Sequence, residues 1–201
     1  MKVLSLIALY LVCSVFCDAQ ERSARRKVGD ATPSSRSARL YVTPDPRLMP
    51  TSLKSMCALS SLIAVGVITQ TLPAREPSPA SLETDAVFQI ATVLKGVAPT
   101  EGHIMITQRG GYTDSFVVQP SQYSLVKKGE QYLLFLRPDP RPTSLVPATE
   151  QRFLVTGVWT GMFRIQNGVV AAMPSNTDVL HSQYGGVSLD QIVEEVRTAL
   201  K

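Results

Sequence analysis

Cysteine, histidine and charge are all scarce in this chain, and the first two scarcities close off classes of protein. Three cysteines in 201 residues are too few for a disulfide scaffold or a cysteine-built zinc module. The two histidines, His103 and His181, lie far apart, and no HExxH, paired-cysteine or calcium-loop spacing occurs. The chain is therefore read as having no metal site and no cofactor. Charged residues make up 18% of the sequence, below the globular norm of about 25%. Hydrophobic residues reach 44%, which excludes wholesale disorder.

Long apolar runs are missing too, with one short exception at the N-terminus. Lys2 is followed by an almost wholly apolar stretch, residues 3–16. As a helix rising about 1.5 Å per residue it falls short of the roughly 30 Å hydrocarbon core. Cys17-Asp18-Ala19 then places small residues where a signal peptidase reads. Residues 1–19 are thus predicted to be a secretory signal cleaved after Ala19. The mature chain would be secreted or periplasmic, with no transmembrane span. Cleavage removes Cys13 and Cys17 and leaves Cys57 alone, so no intramolecular disulfide is expected.

The net charge of +4 is unevenly placed. Residues 20–56 hold Arg22, Arg25, Arg26, Lys27, Arg36, Arg39, Arg47 and Lys54 against Glu21, Asp30 and Asp45, a net +5. Residues 57–201 carry a net −1. The basic segment lacks apolar periodicity, is rich in Ser, Pro and Arg, and repeats RSAR at 22–25 and 36–39. Such a composition cannot offset its ordering entropy, so 20–56 is predicted to be a disordered arm. Three roles fit it: a solvated linker, a patch for anionic surfaces centred on Arg22, Arg25, Arg26, Arg36 and Arg39, or a protease processing site at Arg25-Arg26. Its one aromatic, Tyr41, argues against nucleic acid as a partner.

From Leu62 the pattern changes to short apolar runs broken by Gly and Pro. Predicted strands are 62–69, 84–94, 103–107, 115–119, 131–136, 153–158, 162–166 and 169–172, with 71–83 a Pro-rich loop. On the second strand, Phe88, Ile90 and Leu94 are expected on one face and Val87, Ala91 and Val93 on the other. Asn167-Gly168 signals a tight hairpin. Residues 188–200 read as an amphipathic helix. Ser188 and Gln191 suit a capping box, Leu189, Ile192, Val193, Val196 and Leu200 share a face, and Arg197 and Lys201 suit the C-terminal dipole. No βαβ alternation appears. The expectation is a mainly β domain over 57–201: a small OB-like antiparallel barrel or curled sheet with a C-terminal amphipathic helix.

Leu62–Ile68, the strand ending Val93-Leu94-Lys95-Gly96, and Gly129-Glu130-Gln131-Tyr132-Leu133 together resemble netrin-like modules, including the tissue inhibitors of metalloproteinases. The match spans about residues 57–136. It implies a five-stranded OB-type barrel packed against helices. Those inhibitors chelate their target's zinc through an N-terminal cysteine and rely on several disulfides. Here Cys57 precedes Ala58, and that inhibitory pattern is absent.

Catalytic signatures are sparse. The serine-nucleophile pattern GxSxG does not occur, and the usual signatures around a nucleophilic cysteine are missing. Glu194-Glu195 are expected on the exposed face of the last helix, and Asp139 in a Pro-rich turn. Pro138-Asp-Pro-Arg141 echoes Pro44-Asp-Pro-Arg47, either as a repeated polyproline recognition peptide or as recurrent turn chemistry. Tyr112, beside Gly110-Gly111, and Trp159, before Gly161, are the candidate ligand-facing aromatics. The alternative for Trp159 is a core side chain filling the barrel end. The leading expectation is an exported, non-enzymatic module that binds an extracytoplasmic protein or glycan. A surface-associated envelope protein tethered by its arm is the second. A hydrolase using Cys57 or a histidine–carboxylate site is the third.

Overall fold

Strand β2 (Leu62–Thr71) explains the architecture, because its first five residues are all buried. A strand buried on both sides must lie between two cores. Ile63 and Val65 enter one core, and Leu62, Ala64 and Ile68 the other. The computed structural model describes residues 38–42, 49–121, 123–141, 151–171 and 178–201. Residues 1–19, read above as a signal, and most of the segment read as an arm, with Arg22, Arg25, Arg26 and Arg36, lie outside the described residues.

The elements after β2 are β3 (Arg75–Ser78), β4 (Ser81–Lys95), β5 (His103–Arg109), β6 (Gly111–Tyr112) and β7 (Phe116–Pro120). Then come β8 (Gln131–Pro138), β9 (Arg152–Val155), β10 (Met162–Gln166) and β11 (Val169–Val170). Strand β2 pairs antiparallel with both β4 and β8, and β4 with β5. Thus β8 returns to lie beside β2, the spatial order of a Greek key. Strand β9 runs parallel to β5 and antiparallel to β8, which links the five strands into a ring. The sheet is therefore mixed, not purely antiparallel. The chain leaves β5 through β6, β7 and β8 before returning as β9, a connection long enough for a parallel pair.

The protein is mainly β with a C-terminal helix, as the sequence leads one to expect. The ring interior holds Phe88, Ile104, Ile106, Leu134, Leu136, Phe153 and Val155. The outer face of β2, β8 and β10 presents Ile63, Val65, Leu133, Phe135, Phe163 and Ile165 to the helices. These are α1 (Leu53–Leu59), α2 (Val179–Tyr184) and α3 (Leu189–Ala199). In α3, Ser188 Oγ accepts the Gln191 N–H while the Gln191 side chain turns to Glu195. Only half of the expected capping box is formed. Asn167 and Gly168 both take positive φ, 53° and 75°, as the β10–β11 hairpin requires.

Three features depart from the expected layout. First, α1 and β1 (Ala38–Val42) lie within the segment read as arm, so the boundary at residue 57 falls inside a helix. Ser52 and Ser55 cap α1 reciprocally, and Leu53 and Met56, one turn apart, are buried. A basic, Ser- and Pro-rich composition hides two such anchors. Second, Val93 packs toward the ring interior with Phe88 and Ile90, whereas Leu94 packs on the helix side. The β2–β4 register shifts between Ile63 and Ala64 and again between Val65 and Gly66. Each bulge flips the face of the residues beyond it. A Cβ on Gly66 would lie 2.1 Å from the Gln89 carbonyl oxygen, so glycine permits the close approach here. Third, the Pro-rich loop 71–83 contains β3, paired to β4.

Candidate functional site

Gly110 and Gly111, at φ 115° and 146°, turn the chain sharply after β5. A Cβ on Gly111 would meet the Ala74 Cβ at 2.5 Å and Thr84 Oγ1 at 2.7 Å, so only glycine lets β6 approach so closely. The Thr84 hydroxyl donates to the Gly110 carbonyl at 2.8 Å. This turn leaves Tyr112 79% exposed on the rim of an open groove of about 850 Å³. Leu72, Pro73, Val117 and Leu125 supply apolar walls, and Asp114, Lys127 and Lys128 supply charge.

The groove has a fixed floor. Tyr123 lines it, donates its hydroxyl to the Arg109 carbonyl at 2.9 Å, and stacks on Trp159 with ring centroids 5.6 Å apart. Burial pushes the Tyr123 phenol well above its ordinary range, against the opposing charge of Arg109, so it serves as a neutral donor. The Val126 N–H donates to Gln108 Oε1 at 2.8 Å, which pins the segment into the buried end of the ring. Ser124 and Lys127 have the SxxK spacing of a serine nucleophile. Residues 123–127 are not helical, however, so that spacing does not stack the two side chains one turn apart. Trp159 is itself 2% exposed. It supports Tyr123 from below and does not line the groove. Val158, at φ 66°, sets it there from a left-handed conformation costly for a β-branched residue. Of the two predicted aromatics, then, Tyr112 faces the groove and Trp159 underpins it. Arg39 lies in β1.

A second cluster sits on the outer face of β4 and β5. Asp85, 4% exposed, accepts from Arg75 Nε at 3.0 Å, Arg152 Nη2 at 3.0 Å and the Thr107 hydroxyl at 2.6 Å. Glu83, 2% exposed, pairs with Arg75 at 2.8 Å and Arg141 at 2.6 Å. Arg141 also holds Asp139, its hydrogen bond keeping that carboxyl below its ordinary value despite burial. Three carboxylates and three guanidiniums balance. Sequence inspection misses this group because its partners come from β3, β4, β9 and the end of β8. The one local signal is acidic residues at i and i+2 on a strand. The second PDPR repeat is part of this ion network; the first lies outside the described residues.

The thiol and the histidines do not assemble. Cys57 is buried in the helix-side core, where desolvation pushes its thiol up against the nearby Lys95 charge. His103 is exposed at the start of β5, with Nδ1 3.2 Å from the Glu101 carbonyl oxygen. His181 is buried in α2 and stacked on Phe163. Its Nδ1 lies 3.2 Å from Asp178 Oδ2 and its Nε2 2.9 Å from the Met162 carbonyl oxygen. Two acceptors thus face the two ring nitrogens. Among the described residues, no three His, Cys, Asp or Glu side chains are grouped to hold a metal ion. No helix among them is long and apolar enough to cross a membrane. No family model matches this chain, and no curated protein matches it in sequence.

Proposed function

We propose that this is an exported binding module of OB-like, netrin-like architecture that recognises an extracytoplasmic protein or glycan through the groove beside Tyr112. The carrying observation is a largely exposed tyrosine on the rim of a groove with a rigid aromatic floor. Large amphipathic side chains held this way give contact area at low entropic cost. The five-stranded ring with a Greek-key path, packed against helices, supports the netrin-like reading. Binding rather than catalysis is favoured because the buried ionisable groups already engage one another. The signal-like residues 1–19 support export.

The test is affinity capture from the native extracytoplasmic fraction with the full chain and with Tyr112→Ala. Loss of the captured species in the variant, with an unchanged thermal midpoint, supports the groove. Equal capture by both chains refutes it. The net +5 of residues 20–56 favours a second reading, attachment to an anionic surface. That attachment weakens steeply with salt and persists in Tyr112→Ala.

A further inference from the structure

Strand β7 is the middle strand of a small sheet ordered β1-β7-β6. On one side it meets only the two-residue β6. On the other it is covered along its whole length by β1, in parallel register from Ala38 opposite Phe116 to Val42 opposite Pro120. Pro120 has no N–H to donate, which ends the ladder there. Without β1, β7 would present a row of unpaired backbone groups, a ready template for another strand.

Strand β1 pairs with β7 alone. Leu40, the one residue of β1 whose side chain is described, is 41% exposed and sits opposite Val118, 2% exposed. A five-residue strand paired along one edge opens more readily than the ring strands, each of which is paired along both edges.

We propose that β7 is a strand-exchange site, and that its partner is Ala38–Val42 of a second copy of this chain, seated in the same parallel register. The edge already accepts this sequence over five consecutive residues, so a second copy needs no new complementarity. Reciprocal exchange leaves neither edge open, the low-cost route to a closed two-fold dimer. The incoming strand would also border the groove, since Val117, Val118, Gln119 and Pro120 line it. Self-association and groove occupancy are then coupled.

The experiment uses the full chain carrying Leu40→Cys and Val118→Cys, with Cys13 and Cys17 replaced by serine, prepared in light and nitrogen-15-labelled forms. Cys57 is 1% exposed and does not compete. The two forms are mixed over a range of concentrations, oxidised and digested, and the disulfide-linked peptide joining positions 40 and 118 is weighed. Exchange gives mixed light–heavy peptides, rising with concentration toward half of the linked product. A wild-type dimer seen by sedimentation and abolished by Leu40→Pro supports the same conclusion without introduced thiols. Linked peptide with no mixed species at any concentration overturns the proposal. So does a double variant that melts like wild type yet forms no link between positions 40 and 118. Fast amide exchange across Phe116–Gln119 without mixed peptide shows an edge that opens for some other occupant, and also overturns it.

Discussion

Replacing Asp85 by alanine should be among the most damaging substitutions in this protein, although the residue belongs to neither hydrophobic core. Arg152 shows 5% side-chain exposure, and Asp85 is its ion-pair partner at 3.0 Å. Its Nε and Nη1 are buried and find no hydrogen-bond partner among the described residues. Arg75 keeps Glu83 at 2.8 Å, so the loss of Asp85 falls mainly on Arg152. Breaking a buried pair from one side costs about 3–5 kcal/mol. For a unit of this size that is a fall of roughly 6–20 °C in thermal midpoint. Arg152→Met should cost only about 1–2 kcal/mol, because Asp85 retains Arg75 and Thr107. The double variant Asp85→Leu with Arg152→Met removes both charges and should recover most of the stability. Urea titrations followed by circular dichroism close the double-mutant cycle. The reasoning is refuted if Asp85→Ala costs under about 1 kcal/mol, or if the double variant costs the sum of the singles.

Four further outcomes are expected. Burial raises the Asp178 carboxyl, but hydrogen bonds from His181 and the Leu180 N–H outweigh it, and the folded value lies below 3.8. Its contribution is therefore fully present above pH 3.8 and lost as pH falls through the folded value. Urea midpoints from pH 6 to 3 should drop less in Asp178→Asn than in wild type. Met56→Ala should cost about 2–5 kcal/mol in the same titration, whereas a result near zero would exclude α1 from the folded unit. Val158→Gly should raise stability by up to about 1 kcal/mol by relieving a left-handed β-branched residue; thermal melts decide it. The Cys57 thiol should react with a disulfide reagent at pH 8 only as the protein unfolds, so that modification tracks the denaturant transition.

Helix α3 could be read from sequence because its apolar spacing, N-cap serine and charged ends all agree within one short segment. The same holds for the hairpin at Asn167-Gly168 and for β2 and β8, whose apolar runs announce strands buried on both faces. Local chemistry determines such elements, and local chemistry is what a sequence displays. Helix α1 was hidden because Leu53 and Met56 are two anchors in a polar stretch, and their meaning comes from the surface they cover. The faces of Val93 and Leu94 depended on two bulges set by the pairing partner. Tyr112 was recognisable from its glycine turn, but whether Trp159 faced a ligand or the interior was decided by Tyr123 packing over it.

The sequence by itself determined a mainly β chain ending in a helix, with its net positive charge confined to an N-terminal segment. Tertiary structure alone decided that β9 closes the strands into a ring, that Asp85 meets Arg152 across 67 positions, and that β1 covers β7. The reason is physical. Periodicity and capping are contacts between neighbours in the chain. Ring closure, ion pairing and edge protection join residues that meet only once the backbone has folded.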